Sequence, residues 1–347
     1  MSTKIRAGVI GASGYAGVEL VRLLLSHPNV ALAAVSSVSF EGKPLSEVYP
    51  SLRGLCDFPL DAEDAVVEAS DVVFAALPHG LSEPLAKKCL RAGKVFIDLG
   101  ADFRLADEAD YEKWYGSSFK EPELHGKAVY CIPELHRERM KGARLIANPG
   151  CYTTCIPLGL APVMKAGIAN LQSIIIDAKS GVTGAGRGLT QNTHYAELNE
   201  GFSPYKVASH RHTPEMEQTL SELAGESVTV TFVPHLLPVN RGILATMYIN
   251  LFEAPDLAAI HELYERFYAG EQFIRILPLG KSADVKNVRL SNYCDISLHG
   301  DPRTKRLIVV SAIDNMVKGA AGQAIQNMNL AMGIDESAGL LALPPAF

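Results

Sequence analysis

Asn148-Pro149-Gly150-Cys151-Tyr152-Thr153-Thr154-Cys155 puts one cysteine directly after a turn and at the start of a predicted helix. A helix N-terminus favours thiolate over thiol, so Cys151 reads as a nucleophile suited to forming a covalent acyl intermediate. Cys155 follows one helical turn later and is better placed for the core. Further on, His210-Arg211-His212-Thr213-Pro214-Glu215 precedes another predicted helix. Thr213 is expected to cap it, and Pro214 suits its first position. A histidine with a pKa near neutrality can take the thiol proton and serve later as a general acid. Either histidine qualifies, because residues two apart in an extended segment share a side. His212 is favoured as the nearer to the helix start, with His210 or Arg211 helping to hold the substrate.

Two further segments suit an anionic substrate. Arg104, in Asp98-Leu99-Gly100-Ala101-Asp102-Phe103-Arg104, follows a predicted strand and can grip a phosphate through two nitrogens. The alternative is a surface ion pair with a neighbour such as Asp102. Ser180-Gly181-Val182-Thr183-Gly184-Ala185-Gly186-Arg187 is a glycine-rich loop after a strand. Its main-chain N–H groups and Arg187 can face a phosphate or an oxyanion, with Ser180 and Gly181 on the substrate side.

A cofactor loop opens the chain. Gly11-Ala12-Ser13-Gly14-Tyr15-Ala16-Gly17 has the form GxxGxxG between a predicted strand and a predicted helix. That context lets main chain and helix N-terminus meet a pyrophosphate, so Gly11, Ser13, Gly14, Tyr15 and Gly17 are cofactor-binding candidates. An NAD site usually carries an acidic residue at the end of the second strand. Here Ser36 and Ser37 stand there, and no Asp or Glu follows until Glu41. Hydroxyls can donate to a 2′-phosphate that a carboxylate would repel, so the expected cofactor is NADP.

These residues need a scaffold. Strand-like stretches at 5–10, 30–35, 71–77 and 95–99 alternate with helical patterns at 17–26 and 82–92. Such alternation predicts a parallel sheet covered on both faces. After residue 150 a helix is expected at 152–165. Strands follow at 173–178, 227–233, 244–251, 273–277, 293–298 and 307–313, with helices at 214–224 and 257–268. This second pattern suggests a mixed or antiparallel sheet. A last helix, 318–332, is rich in Ala and Gly. The chain has 347 residues, enough for two domains. With 32 Lys and Arg against 38 Asp and Glu, it lacks the broad basic footprint of a nucleic-acid binder. The six cysteines include no CxxC pair, which argues against both a disulfide framework and a structural zinc site. The short apolar run at the start meets glycine at once, unlike a signal peptide or a membrane anchor. No metal, nucleic acid or membrane is expected as a partner, and the expected location is the cytoplasm.

The motifs GASGYAG, PHG, DLGADFRL, NPGCY, SGVTGAGR and HRHTPE together resemble the N-acetyl-gamma-glutamyl-phosphate reductases of arginine biosynthesis. Wider relatives are aspartate-semialdehyde dehydrogenase and phosphorylating glyceraldehyde-3-phosphate dehydrogenase. The resemblance implies an α/β chain: a Rossmann-like NADP-binding domain over 1–150, completed by 315–347, and an α+β catalytic and dimerisation domain with a mixed sheet over 151–314. It implies NADPH-dependent reduction of an acyl phosphate through a thioester on Cys151, in a homo-oligomer, dimer or tetramer. It also implies that Asn315 lies near the nicotinamide and that Glu215, closing the HRHTPE segment, faces the substrate. From sequence alone, the small residues Gly319, Ala320, Ala321 and Gly322 point instead to close helix packing. An aspartate-semialdehyde dehydrogenase is the alternative within the same chemistry. A non-catalytic NADP-binding sensor is the alternative outside it, and the intact Cys151 with its histidines argues against that.

Overall fold

The computed structural model describes residues 4–346. The outermost positions of the expected domains, residues 1–3 and Phe347, lie outside this range. The chain divides into two compact units. One runs to Pro149 and resumes over Ala320–Ala342; the other holds Gly150–Gly319 and the tail from Leu343. The return to the first unit thus falls after Gly319, and Asn315 belongs to the second.

The first unit is built on strands β1 (Ile5–Ile10), β2 (Val30–Ser36), β3 (Leu60–Asp61), β4 (Val72–Ala75), β5 (Val95–Asp98), β6 (Val129–Tyr130) and β7 (Leu145–Ala147). Their order is β3-β2-β1-β4-β5-β7-β6, and every pair is parallel. Residues 72–75 are all buried, as a strand covered on both faces must be. The order reverses at β1, which makes the carboxyl ends of β1 and β4 the natural ligand crevice of this sheet. Helix α1 (Tyr15–Leu25) starts there; α2 (Glu63–Ala69), α3 (Ser82–Arg91) and α4 (Glu108–Tyr115) follow. The sequence reading did not anticipate β3, β6, β7, α2 or α4. Strands of two or three residues are too short to show a period. For α4, however, the signals were present. The Asp107 side chain accepts from Asp110 N, and Gly116 closes the helix at φ 73°.

The second unit begins with α5 (Cys151–Lys165). Strands β8 (Ala169–Gly181), β9 (Ser203–Pro204), β10 (Val230–Leu237), β11 (Ile243–Leu251), β12 (Ile274–Ile276), β13 (Cys294–Asp301) and β14 (Arg306–Ile313) form a mixed sheet. Its order is β12-β13-β14-β11-β8-β10-β9. The pairs β8–β10 and β12–β13 are parallel and the others antiparallel. Helices α6 (Thr213–Ala224) and α7 (Leu257–Phe267) complete it. Helix α5 packs on β11, β14 and α6. Gly159 permits this: a Cβ there would fall 2.4 Å from Met247 Cε. Pro162 cannot donate to Leu158 O within the helix, and Tyr268 Oη donates to that carbonyl instead at 2.5 Å. Tyr264 Oη donates to Gly159 O at 2.7 Å. The helix that begins with Cys151 is therefore fixed along its length from two sides.

Two local expectations need correction. The last helix is not continuous from 318: a π-helical turn, Val317–Ala321, precedes the α-helix Gly322–Ala331. Thr213 does not cap α6. It is the first helical residue, and its Oγ1 has no hydrogen-bond partner among the described residues. His212 takes the N-cap position at φ −80°, ψ −9° without a side-chain cap bond. The turn bond from Thr213 N to His210 O, 2.9 Å, holds His212 near helical angles, outside the extended region from which side chains cap.

Candidate active site

The glycine loop of the first unit is shaped by absent side chains. Gly11 has φ +84°, and a Cβ there would lie 2.4 Å from Ala76 O. At Gly17 a Cβ would lie 2.2 Å from Gly11 O. Gly11 N and Ala12 N both donate to Ser36 O, at 3.1 and 2.9 Å, which ties the loop to the end of β2. Gly14 is the N-cap of α1 and offers no side chain to the first N–H groups, with Tyr15 opening the helix. Those donors suit a phosphate. Ser13 Oγ and Ser37 Oγ are 2.6 Å apart, and Ser36 and Ser37 are buried. Gly11 and Gly17 let the loop close onto its own main chain, and the bare Gly14 N-cap with the helix N–H groups behind it fits the pyrophosphate of a dinucleotide.

A cavity of about 200 Å³ beside the serines is lined by Ser36, Ser37, Val38, Glu41, Asp61 and residues 62–64. Asp61 comes from β3, paired with Ser36. The second strand itself carries no carboxylate, yet the neighbouring strand brings one close, which linear spacing could not reveal.

Arg104, also in the first unit, is buried and donates through Nη2 to Leu99 O at 2.8 Å. Asp102 faces other groups: it accepts from Gly80 N and Ser82 N at 2.7 Å each, and lies 2.7 Å from His79 Nδ1. Burial, and secondarily the Asp102 charge, push the Asp98 carboxyl up to about 6, against the Ser82 hydroxyl and Gly100 N.

In the second unit, Cys151 is the first residue of α5 and half-buried. Gly150 is the N-cap. Gly150 N donates to Glu215 Oε1 at 2.9 Å, and Thr153 Oγ1 approaches the same oxygen at 2.5 Å. Thr153 and Thr154 hydroxyls also lie 2.9 and 3.0 Å from Gly150 O. Glu215 is fully buried in the first turn of α6. Glu215 thus holds the cysteine turn, because α6 packs against α5.

The structure separates the two histidines. His210 packs among Tyr152, Tyr205 and Phe232, with ring centroids 5.6, 5.6 and 5.4 Å away. Burial above all, then the nearby His212, push its pKa down to about 2. Its Nδ1 accepts from His212 N at 3.1 Å, which leaves the ring proton on Nε2. His212 is half-buried, its ring 4.8 Å from His210 and 6.0 Å from Tyr152. The segment is a turn, not the extended run expected.

Tyr152 Oη and Tyr205 Oη are 3.1 Å apart. Burial raises the Tyr152 phenol and takes that of Tyr205 up to about 12. Neither tyrosine was singled out from sequence; the position of Tyr152 directly after Cys151 was the available signal. Ser180 is buried, and its Oγ donates to Gly181 O at 3.0 Å. Gly181 is required by packing, since a Cβ would meet Asn240 O at 2.7 Å. Arg187 and Arg211 are exposed. Asn315 is buried, its Oδ1 accepting from Gly242 N at 2.8 Å and its Nδ2 donating to Thr183 Oγ1 at 3.1 Å. Its amide thus ties two loops of the second unit together. Cys155 Sγ lies 3.2 Å from Ser311 Oγ, and burial holds its thiol well above the usual value.

Residues 6–143 match the family described as semialdehyde dehydrogenase, NAD binding domain, and residues 151–315 match semialdehyde dehydrogenase, dimerisation domain. The N-acetyl-gamma-glutamyl-phosphate reductase of Clostridium beijerinckii is 56% identical over 343 residues, covering 99% of this chain and 100% of that one. That of Brachyspira hyodysenteriae is 55% identical over 351 residues, with 99% and 100% covered. Among solved structures, aspartate semialdehyde dehydrogenase II of Vibrio cholerae, complexed with ASA, superposes with a TM-score of 0.73 at 17% identity, covering 96% of this chain and 99% of that one. Aspartate semialdehyde dehydrogenase with NADP from Candida albicans gives 0.69 at 16%, covering 95% and 99%. These last two likenesses show the fold.

Proposed function

Because this chain belongs to the N-acetyl-gamma-glutamyl-phosphate reductase family of semialdehyde dehydrogenases, we propose that it reduces N-acetyl-gamma-glutamyl phosphate to N-acetylglutamate 5-semialdehyde and phosphate with NADPH, in arginine biosynthesis. The observation that carries this reading is Cys151 at the start of α5, on a turn that Glu215, Thr153 and Thr154 hold in place.

The helix N-terminus favours the Cys151 thiolate. Its Sγ attacks the acyl carbon, the S–C bond forms, the C–O bond to phosphate breaks, and a thioester remains. His212 takes the thiol proton beforehand, gives it to the oxygen of the reduced adduct, and takes it back as the aldehyde C=O forms and Sγ leaves. His210 is assigned a different part: its depressed pKa keeps it neutral, so it orients the segment through the Nδ1 bond to His212 N. The loop residues Gly11, Ser13, Gly14, Tyr15 and Gly17, with Ser36 and Ser37, would hold the cofactor, which when bound supplies the hydride. Arg104, Arg187 and Arg211 are assigned to the substrate's phosphate and carboxylate, and Ser180 and Gly181 to the substrate side of their loop. Expulsion of Sγ from the reduced adduct regenerates the thiolate.

The same reading makes the chain a homo-oligomer. Ile175 is 43% exposed on a sheet face where register aligns it with Tyr248 and then Ile308, an apolar row that a second copy can cover. The cysteines carry no disulfide, which suits the reducing cytoplasm. The discriminating experiment is phosphate-dependent NADP reduction by the full chain with N-acetylglutamate 5-semialdehyde and with aspartate 4-semialdehyde. Turnover with the first supports the proposal, and preference for the second overturns it.

A further inference from the structure

The π-helical turn Val317–Ala321 lies against the nucleophile. A Cβ on Gly319 would fall 2.7 Å from Cys151 Cβ, 3.1 Å from Cys151 Cα and 3.3 Å from Ile313 Cδ1. Real Cβ atoms essentially never come within 3.0 Å of another heavy atom, and the two nearest neighbours belong to the root of the cysteine rather than to a flexible tip. Gly319 is not among the residues with positive φ. Its backbone angles are open to other residues, so close approach alone demands glycine here.

Both sides of this contact are held. Gly319 N donates to Asp314 O at 3.0 Å, the i to i−5 bond that widens the turn. Asp314 Oδ1 accepts from Met316 N and Val317 N at 2.8 and 3.1 Å, and its Oδ2 from Leu290 N at 2.7 Å. Asn315 is tied to Gly242 and Thr183. Opposite, the cysteine turn is held by Glu215. The root of Cys151 therefore has little room to yield to an added methyl group.

We propose that Gly319 is a positioning residue for the reaction: its bare Cα closes one side of Cys151, so that the thiol is confined to the rotamers that keep Sγ at the helix N-terminus. The inserted residue of the π-helical turn is what brings that Cα to the cysteine. This rests on the reading of Cys151 as nucleophile.

The test compares the full-length parent with Gly319→Ala, Cys151→Gly and the double variant. In Gly319→Ala, kcat should fall by ~10²-fold, the scale of a misplaced reacting atom. KM for the acyl phosphate should stay within about threefold, as for a loss confined to the chemical step. The pH midpoint of Cys151 alkylation by iodoacetamide should rise as Sγ leaves the helix N-terminus. A purely structural role would lower the melting temperature and leave that midpoint unmoved, which would overturn the proposal. The melting loss caused by Gly319→Ala should largely vanish in the Cys151→Gly background; an equal loss in both backgrounds would also overturn it. If Gly319→Ala does not fold, the double variant decides, recovery supporting the contact and failure refuting it. Retained turnover in Cys151→Gly would instead overturn the nucleophile assignment, leaving the melting comparison intact.

Discussion

Residues 11–17 and residues 150–154 each carry the chain from a turn into a helix, and each helix is capped by a glycine with no side-chain bond. The two caps have nearly the same backbone angles: φ −77°, ψ 164° at Gly14 and φ −72°, ψ 165° at Gly150. What surrounds them differs. The first loop is tied down by main chain, through Gly11 N and Ala12 N on Ser36 O, and by neutral hydroxyls, Tyr49 Oη on Ser13 O and Ser13 Oγ beside Ser37 Oγ. The second adds a buried carboxylate, Glu215, to the two threonine hydroxyls on its turn. A loop that must receive a large anion keeps its helix donors open and its surface bare. A turn that must present one sulfur atom is immobilised by its own neighbours.

The largest effect separates the cysteines. Cys151→Ser should lower turnover by on the order of 10⁴-fold, since a nucleophile's loss removes the covalent route. NADPH binding, measured by fluorescence titration, should persist. Cys155→Ser should keep most of the activity, because that thiol is buried beside Ser311 and its pKa is high. The reverse pattern in steady-state rates would break the assignment.

Next come the histidines. His212→Asn should cost ~10²–10⁴-fold in rate and remove most of its pH dependence between 5 and 9. His210→Asn should leave that dependence in place. It should change stability instead. An unfolded histidine takes a proton near 6.5, whereas buried His210 resists until about 2. Its contribution is complete above 6.5 and is lost as pH falls towards 2. Melting temperatures from pH 7 to 4 should therefore fall less steeply in His210→Asn than in the parent.

A smaller effect isolates the first loop. Gly17→Ala places a Cβ 2.2 Å from Gly11 O. It should weaken NADPH binding and cost ~1–3 kcal/mol of stability, as overpacking does. Alkylation of Cys151 without cofactor should not change; a change would mean that the two turns are not independent. The smallest effect is Ser37→Asp, which sets a charge where Ser13 Oγ now lies 2.6 Å from Ser37 Oγ. It should shift kcat/KM from NADPH towards NADH by roughly tenfold, the scale of a weak charge–charge term near a surface.

Much of the scaffold was legible because its long elements carry a clear period. Alternation in β11, with Ile243, Ala245, Met247 and Ile249 buried, and the strand–glycine–helix run of residues 5–25 announced themselves. Cys151 was legible because Asn148-Pro149-Gly150 fixes where its helix starts. Glu215 and Asp61 were not, since their surroundings are made by packing between segments distant in sequence. The difference between His210 and His212 was equally hidden: it is burial by Tyr152, Tyr205 and Phe232 that sets it.

The most direct measurement is to mix the enzyme with N-acetyl-gamma-glutamyl phosphate in the absence of NADPH, follow phosphate release, and map the acyl group by peptide mass spectrometry after acid quench. The expected result is a burst of about one phosphate per active site and an N-acetylglutamyl thioester on Cys151. Phosphate released only when NADPH is present, or an acyl group on any other residue, would contradict the covalent route.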